Sequence, residues 1–117
     1  MVVVNWNRKE LLRACLTSLA RQTGAEFETI VVDNGSSDGS AEMAERDFGA
    51  RVIRNRENRG FCAANNQGIA VARGEFVALL NNDAEADPDW LAELERACAS
   101  RPRIGLGIVV EECNKVA

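Results

Sequence analysis

The sequence predicts an α/β fold with an open, mostly parallel sheet and helices on both faces. Short apolar runs alternate along the chain with segments whose apolar residues recur every three to four positions, which gives the order β-α-β-α-β-α-β-α. Four of the apolar runs stop abruptly at clusters of Asn, Asp, Arg and Gly. The 117 residues suffice for one domain, and a hydrophobic content of 46% can bury its core.

Each predicted strand is a short run of apolar residues, or of apolar and charged residues, that ends abruptly at a polar turn. They are Val2–Val4 before Asn5, Phe27–Val32 before Asp33, Arg51–Arg54 before Asn55, and Phe76–Leu80 before Asn81. A fifth strand is expected within Ile104–Val110. Because parallel strands place their carboxyl ends on one edge, where open α/β sheets bind ligands, the polar turns should converge there.

The first two predicted helices carry start and stop signals. Asn7 followed by Glu10 fits a capping box ahead of an apolar helical face. Asp38 is placed to cap the second helix, and Gly49 to end it. Both helices should therefore follow directly from the polar turns.

The third and fourth predicted helices follow the other two turns. The third covers about Phe61–Ala72, has unusually small side chains and would stop at Gly74. The fourth would begin with Asp87 as its N-cap and Pro88 at its first helical position.

The turn after the fourth strand has the composition of a cation site. Asp83 lies between an apolar strand and the next helix, with Asn81 and Glu85 close by. Oxygen-bearing side chains of this kind can hold a hard divalent cation against a phosphate. The sequence therefore predicts a metal site at Asp83, with Asn81 or Glu85 as a further ligand.

Composition excludes several kinds of chemistry. The chain has no histidine, so Ser-His and Cys-His catalysis and a His-bound zinc are excluded within it. Its net charge of −4 argues against nucleic acid as the principal partner. An anionic nucleotide can still bind where a metal ion or local arginines reverse the potential. Arg54, Arg56 and Arg59 cluster on the predicted binding edge, either for that purpose or as a solvated loop.

Cysteine usage and hydropathy favour a cytoplasmic location. The four cysteines are scattered without a C-x-x-C pair, which favours reduced thiols. No segment approaches the roughly 18–20 apolar residues of a membrane span, so no transmembrane segment is expected. No signal-peptide pattern opens the chain. We expect a cytoplasmic protein, either free or at the inner face of the membrane.

Several short sequence motifs follow one another along residues 1–107. They are Val-Val-Asn-Trp-Asn (3–7), Ser18-Leu19 with Gln22-Thr23, Ile-Val-Val-Asp-Asn-Gly-Ser-Ser-Asp-Gly-Ser (30–40), Asn-Arg-Glu-Asn-Arg-Gly-Phe (55–61), Asn-Asn-Gln-Gly (65–68), Ala-Arg-Gly-Glu (72–75), and Leu-Leu-Asn-Asn-Asp (79–83) with Asp87-Pro88. In this order and spacing they resemble the motifs of family 2 glycosyltransferases of the GT-A fold, particularly bacterial enzymes similar to rhamnosyltransferases.

The resemblance implies the Rossmann-like half of a GT-A domain, which binds a nucleotide-diphosphate sugar. Asp33 or Asn34 matches the position that contacts the base. Asn81-Asn82-Asp83 corresponds to the D-x-D motif, so Asp83 would be the principal ligand of Mg²⁺ or Mn²⁺ on the diphosphate. The substrate-binding positions that the resemblance implies are Val4, Asn5, Asn7, Asp33, Asn34, Asn58, Gly60, Asn65 and Asn82.

The resemblance also implies glycosyl transfer to an acceptor hydroxyl, which a carboxylate base deprotonates. Full-length members carry the acceptor site and this base in a second half, so the base is expected beyond residue 117. The acceptor there would be a glycan or a lipid-linked group. Residues 1–107 then form the donor-binding part, and residues 108–117 form an atypical, unassigned tail.

Other interpretations remain open at this point. A receiver domain has a similar strand and helix order, but it needs an acidic pair after the first strand, where this chain has Asn5-Trp6-Asn7. A truncated, non-catalytic module that binds nucleotide or self-associates, for example as a homodimer, is the more serious alternative. Trp6 is expected to pack rather than to stack on a base, and Phe61 and Trp90 are expected in the core.

Overall fold

The computed structural model of the chain describes residues 1–100 and 108–111. Within them one sheet contains β1 (Val2–Asn5), β2 (Ile30–Asp33), β3 (Arg51–Arg54), β4 (Val77–Asn81) and β5 (Ile108–Glu111). Its strand order is β3-β2-β1-β4-β5, and each neighbouring pair is parallel. The predicted open parallel sheet is confirmed.

The helices of the described residues cover both faces of the sheet, as predicted. They are α1 (Lys9–Ala20), α2 (Ser40–Phe48), α3 (Phe61–Val71) and α4 (Trp90–Ser100). Residues of α1, α2 and α4 form one core with Val3 and Val31, whereas α3 packs on the other face against Val2 and Ile30. Successive residues of a strand point to opposite faces, so Val2 and Val3 belong to different cores. None of these helices combines the length and apolar character that a membrane crossing requires.

α3 lies very close to β1. A Cβ atom on Gly68 would come within 2.4 Å of Val2 Cγ1, so this position of the helix requires glycine. Ala64, one turn earlier, is fully buried against the same face of the sheet. The small side chains noted in the sequence therefore let the helix approach the sheet, which fixes its first residue, Phe61, at the carboxyl edge.

The predicted capping box at the start of α1 is wrong. Arg8 is the N-cap residue and makes no side-chain capping bond, and Asn7 has a positive φ of 49°. The Asn7 side chain is used elsewhere, because its Oδ1 accepts a hydrogen bond from the Ser37 N–H at 2.8 Å.

Asp38 supplies the missing cap from the neighbouring loop. Its Oδ2 accepts the N–H of Lys9, the first residue of α1, at 3.0 Å. Its Oδ1 accepts the N–H of Ser40, the first residue of α2, also at 3.0 Å. One carboxylate thus bonds the N-termini of two helices, and α2 ends as predicted at Gly49, with a φ of 64°. Burial alone would raise the pKa of Asp38, but hydrogen bonds from the Ser40 hydroxyl and from the Lys9 and Ser40 N–H groups hold it below its ordinary value.

Other element boundaries also differ from the predictions, and β2 begins at Ile30 and not at Phe27. α3 ends at Val71 because Ala72 is extended, so Gly74 is not its stop. α4 begins at Trp90, where the N–H donates to the Asp87 carbonyl at 3.0 Å, and Asp87 is therefore not an N-cap. The fifth strand is observed at Ile108–Glu111, while residues 104–107 lie outside the described part of the chain.

Candidate functional site

The carboxyl edge of the sheet has its topological switch point between β1 and β4, where the strand order reverses. Asn5 ends β1 there and is 1% exposed. Its Oδ1 accepts a hydrogen bond from Asn82 Nδ2 at 2.9 Å, which ties the turn after β4 to β1. Two predicted site residues that are 77 positions apart in sequence are thus in direct contact.

Asn5 also connects the edge to the turn after β2. Its Nδ2 donates to Asp33 Oδ1 at 3.2 Å and to Ser36 Oγ at 3.3 Å. Asp33 is 3% exposed and accepts further bonds from the Ser36 hydroxyl at 2.6 Å and the Ser36 N–H at 2.9 Å. The Asn7 N–H donates to Ser36 Oγ at 2.8 Å. Asn5, Asn7, Asp33 and Asn82 therefore belong to one hydrogen-bonded network.

A second network joins β2 to the loop before α3. Asn34 is 2% exposed, and its Oδ1 accepts bonds from Asn55 Nδ2 at 3.0 Å and from the Arg59 N–H at 3.3 Å. Its Nδ2 donates to the Gly60 carbonyl at 3.3 Å. Asn55 and Gln67 exchange a pair of amide hydrogen bonds, at 2.7 and 2.9 Å. Asn34 thus holds the backbone of the loop at Arg59 and Gly60.

The remaining predicted residues of this side are placed less centrally. Asn58 is exposed, and its Oδ1 accepts the Gly60 N–H at 2.8 Å, which supports the positive φ of 86° at Gly60. Asn65 is buried and donates back to the Phe61 carbonyl at 3.1 Å within its own helix. Val4 is half-buried on β1, and Asn65 makes no hydrogen bond to the other predicted site residues.

The turn that carries Asp83 differs from both networks. Asp83 is exposed, and its carboxylate makes no hydrogen bond or ion pair with any residue that the structure describes. The turn is closed by the Ala84 N–H, which donates to the Asn81 carbonyl at 3.1 Å. Asn81 is half-buried and Glu85 is exposed. Asp83 is therefore available to a ligand, unlike Asp33.

The donors at this turn fit a cation only together with a second ligand. No cluster of three or more acidic, cysteine or histidine side chains that could hold a metal ion occurs in residues 1–100 and 108–111. Mg²⁺ commonly takes one or two protein carboxylates and completes its shell with phosphate oxygens and water. Asp83, with Asn81 or Glu85, suits that kind of site and not an all-protein metal cage.

The three arginines near this edge are not equivalent. Arg54 Nη1 pairs with Glu42 at 2.9 Å, and other nitrogens of the same guanidinium pair with Glu45, both on α2. The hydrogen bonds that its guanidinium donates to Glu45 and Glu42 raise the pKa of Arg54. Arg56 and Arg59 are exposed and form no ion pair with any described residue. Two of the three arginines thus remain available to an anion.

Aromatic side chains are exposed at the same edge. Trp6, which follows β1, is 50% exposed, and Phe61, which begins α3, is 56% exposed. The expectation that both would pack is wrong, because each lies at the end of its element, beyond the cover of the neighbouring helix. Trp90 is buried, as expected.

Asn55 was predicted to lie in the polar turn after β3, but neither it nor Ser36 nor Gln67 was predicted as a residue of the site. The Asp33–Ser36 bond follows the local spacing of an Asx-type turn, which could have identified Ser36. The pair of Asn55 and Gln67 has no local signal, because its two residues are brought together by the packing of α3 on the sheet.

An open, doubly wound α/β sheet with polar side chains at its switch point defines a class of α/β domains that bind ligands at this edge. Within that class the chain matches the family described as glycosyl transferase family 2, over residues 1–114. The chain therefore belongs to the family 2 glycosyltransferases, a family of transferase enzymes. The receiver-domain interpretation is discarded, and the division of the chain at residue 107 stays a prediction.

Two relatives that the chain matches in sequence also bear glycosyltransferase names. The chain is 38% identical over 100 residues to EpsH of Bacillus subtilis, which bears a glycosyltransferase name, and the match covers 82% of the chain and 29% of EpsH. It is 30% identical over 115 residues to the glycosyltransferase AglE of Haloferax volcanii, covering 93% of the chain and 37% of AglE. The chain thus spans less than two fifths of each relative.

Two solved structures share the fold. S. aureus TarS 1-349 in complex with UDP-GlcNAc superimposes with a TM-score of 0.76 at 25% identity, covering 86% of the chain and 31% of that protein. The mannosyltransferase PcManGT of Pyrobaculum calidifontis, in complex with GDP-Man and Mn²⁺, gives a TM-score of 0.64 at 26% identity, covering 72% of the chain and 27% of that protein. The described fold is that of the GT-A glycosyltransferases.

Proposed function

We propose that the chain is the donor-binding part of a glycosyltransferase, and that its carboxyl edge binds a nucleotide-diphosphate sugar together with Mg²⁺ or Mn²⁺. The observation that carries this proposal is the contrast at the switch point. Asn5 is bonded to both Asp33 and Asn82, whereas Asp83, next to Asn82, has an exposed carboxylate that is not bonded to any described residue. An exposed carboxylate beside a preformed polar edge suits a cation that arrives with a diphosphate.

The nucleoside would lie on the side of β1 and β2. Trp6 offers an exposed aromatic face for a base, and stacking on aromatic side chains is tolerant of base identity. Asp33 and Asn34 are available to the base or ribose only through hydrogen-bonding capacity that their internal bonds leave over. Val4, Asn7 and Asn65 complete this side of the proposed site.

The diphosphate would lie near Asp83. A divalent cation there would act as a Lewis acid on the departing nucleoside diphosphate. Asp83 would hold it, with Asn81 or Glu85 as a further ligand, while Asn82 keeps the turn attached to β1. Arg56 and Arg59, with the Asn58–Gly60 loop, would offset the negative charge of the phosphates.

Transfer itself would need residues outside this chain. We propose that the acceptor, a glycan or lipid-linked group, and the catalytic base belong to the remainder of the full-length protein, since the chain spans less than two fifths of its named relatives. We further propose a cytoplasmic location, free or at the inner membrane face, which agrees with the unbridged thiols of Cys62 and Cys98.

Calorimetric titration with UDP, dTDP and GDP, with and without Mn²⁺, tests the proposal. We expect one nucleotide to bind in a Mn²⁺-dependent manner, and Asp83→Ala to weaken that binding at least about tenfold, since even partners of metal ligands have effects of that size. Asp89→Ala is the matched control, because Asp89 is also exposed and its carboxylate is unbonded within the described residues. Equal losses in both variants, or no binding by the parent chain, would contradict the proposal.

The runner-up is a non-catalytic module that binds nucleotide or self-associates. The exposed aromatic side chains of Trp6 and Phe61 favour self-association, because exposed apolar surface is typical of interaction sites. Sedimentation velocity at several concentrations separates the two functions, because self-association through this surface would be weakened by nucleotide and by Trp6→Ser.

A further inference from the structure

One face of α1 is bonded to the segment that follows β4. The side chain of Ser18 in α1 and those of two residues just after the helix, Gln22 and Thr23, form hydrogen bonds with that segment. The same residues stood out in the sequence without receiving a role. Their bonds fall on residues 86–91, directly after the turn that carries Asp83.

Gln22 makes the most informative of these contacts. Its Nε2 donates to the Asp87 carbonyl at 2.7 Å, and its Oε1 accepts the N–H of Leu91 at 2.9 Å. Leu91 is the second residue of α4, so Gln22 performs the capping that Asp87 was predicted to perform. A single side chain thus holds both ends of the connection between the Asp83 turn and α4.

Ser18 and Thr23 fix the same segment on either side of Gln22. Ser18 is buried, and its Oγ accepts the Ala86 N–H at 3.0 Å while it donates to the Cys15 carbonyl at 2.6 Å. The Thr23 N–H donates to the Pro88 carbonyl at 2.9 Å. Together with Asn82, which is bonded to Asn5, these contacts hold the chain on both sides of Asp83.

Within the described part of the chain, the Asp83 carboxylate makes no bond that could orient it. Its position is therefore set by the residues before and after it. We infer that Ser18, Gln22 and Thr23 are positioning residues for the cation site. They hold the Asp83 turn in the position from which its carboxylate can bind a cation on the donor diphosphate. This inference rests on the proposed function, but its structural part, the hold on residues 82–91, does not.

The test compares Gln22→Ala, Gln22→Glu and a control, Glu28→Ala. Gln22→Glu keeps an acceptor for the Leu91 N–H and loses the donor to Asp87. Glu28 also bonds a remote backbone amide, the Arg73 N–H at 2.7 Å, but at the opposite edge of the sheet. Two quantities are measured well below the melting temperature of each variant: the ratio of nucleotide affinities with and without Mn²⁺, and the amide hydrogen exchange of residues 82–91.

We expect Gln22→Ala to reduce the Mn²⁺-dependent gain in affinity about tenfold, as for other residues that support metal ligands, and to leave metal-free nucleotide affinity unchanged. Gln22→Glu should be intermediate, and Glu28→Ala should keep the full gain. Exchange at residues 82–91 should rise most in Gln22→Ala, less in Gln22→Glu, and not at all in Glu28→Ala.

The outcomes separate the two proposals. An unchanged Mn²⁺-dependent gain in a folded Gln22→Ala variant would overturn the positioning role and leave the proposed function standing. A parent chain that binds no nucleotide would contradict the proposed function, and the exchange measurement would then decide alone whether Gln22 holds the turn. Unchanged exchange at residues 82–91 would overturn the inference in either case.

Discussion

The two sides of the carboxyl edge are built in opposite ways. On the side of β1 and β2, the polar side chains of Asn5, Asp33 and Asn34 are buried; Asn5 bonds Asp33, and Asn34 bonds Asn55. On the side of β4, Asp83 is exposed and makes no bond with any described residue, and the segment after its turn is held by Ser18 of α1. Preformed polar networks are rigid, so the first side should contribute to stability and the second to ligand affinity.

The largest effect on stability is expected from Asn5→Ala. This change removes bonds to Asp33, Ser36 and Asn82 at a position that is 1% exposed, and it leaves buried partners unsatisfied. We expect a loss of roughly 2–3 kcal/mol in the free energy of unfolding, measured by urea denaturation. The exposed Asn66→Ala serves as the control, and comparable losses in both variants would contradict the buried network.

A smaller effect is expected at Asp38, which connects the β1 and β2 loops. Asp38→Asn at neutral pH should cost about 1 kcal/mol, since one side chain caps two helices. The pKa of Asp38 is lowered in the folded protein, so its stabilising effect is present above the unfolded value of 3.8 and is lost as the pH falls through the lower folded pKa.

The pH dependence supplies the check on this assignment. Urea denaturation of the parent chain and of Asp38→Asn should show a difference in stability that is constant above about pH 5 and shrinks below about pH 4. A difference that stays constant or grows on acidification would contradict a stabilising effect that depends on the charge of Asp38.

The smallest effect on stability is expected from Asp83→Ala, at about 0.5 kcal/mol or less, because the carboxylate is exposed and has no partner among the described residues. The same variant should have the largest effect on Mn²⁺-dependent nucleotide binding. Denaturation and calorimetry on one preparation measure both quantities. A stability loss as large as that of Asn5→Ala would remove the distinction between the two sides of the edge.

The parts of the fold that follow from local pattern could be predicted from the sequence. β1, β2 and β4 end where an apolar run meets Asn or Asp, and the sheet places these ends together, as for Asn5 and Asn82. The turn that carries Asp83 was predicted in the same way.

The failures of prediction concern side chains that act on another loop. The Asn7 side chain bonds Ser37, Asp38 bonds Lys9, and Gln22 bonds Leu91. The starts of α1 and α4 and the loop before α2 thus depend on partners that are 29 to 69 positions away in sequence. Local capping patterns cannot show such partners. The exposure of Trp6 and Phe61 also depends on where the neighbouring elements end, which composition does not indicate.

The cation site at Asp83 can be tested most directly with Mn²⁺ as a paramagnetic probe of the amide resonances of the ¹⁵N-labelled chain. Spectra are recorded with and without the nucleoside diphosphate that calorimetry selects. We expect nucleotide-dependent broadening centred on residues 81–85, with weak broadening at Asn5 and none at the amino edge near Glu28. Broadening centred elsewhere, or equal broadening without nucleotide, would contradict a cation site that Asp83 shares with a bound diphosphate.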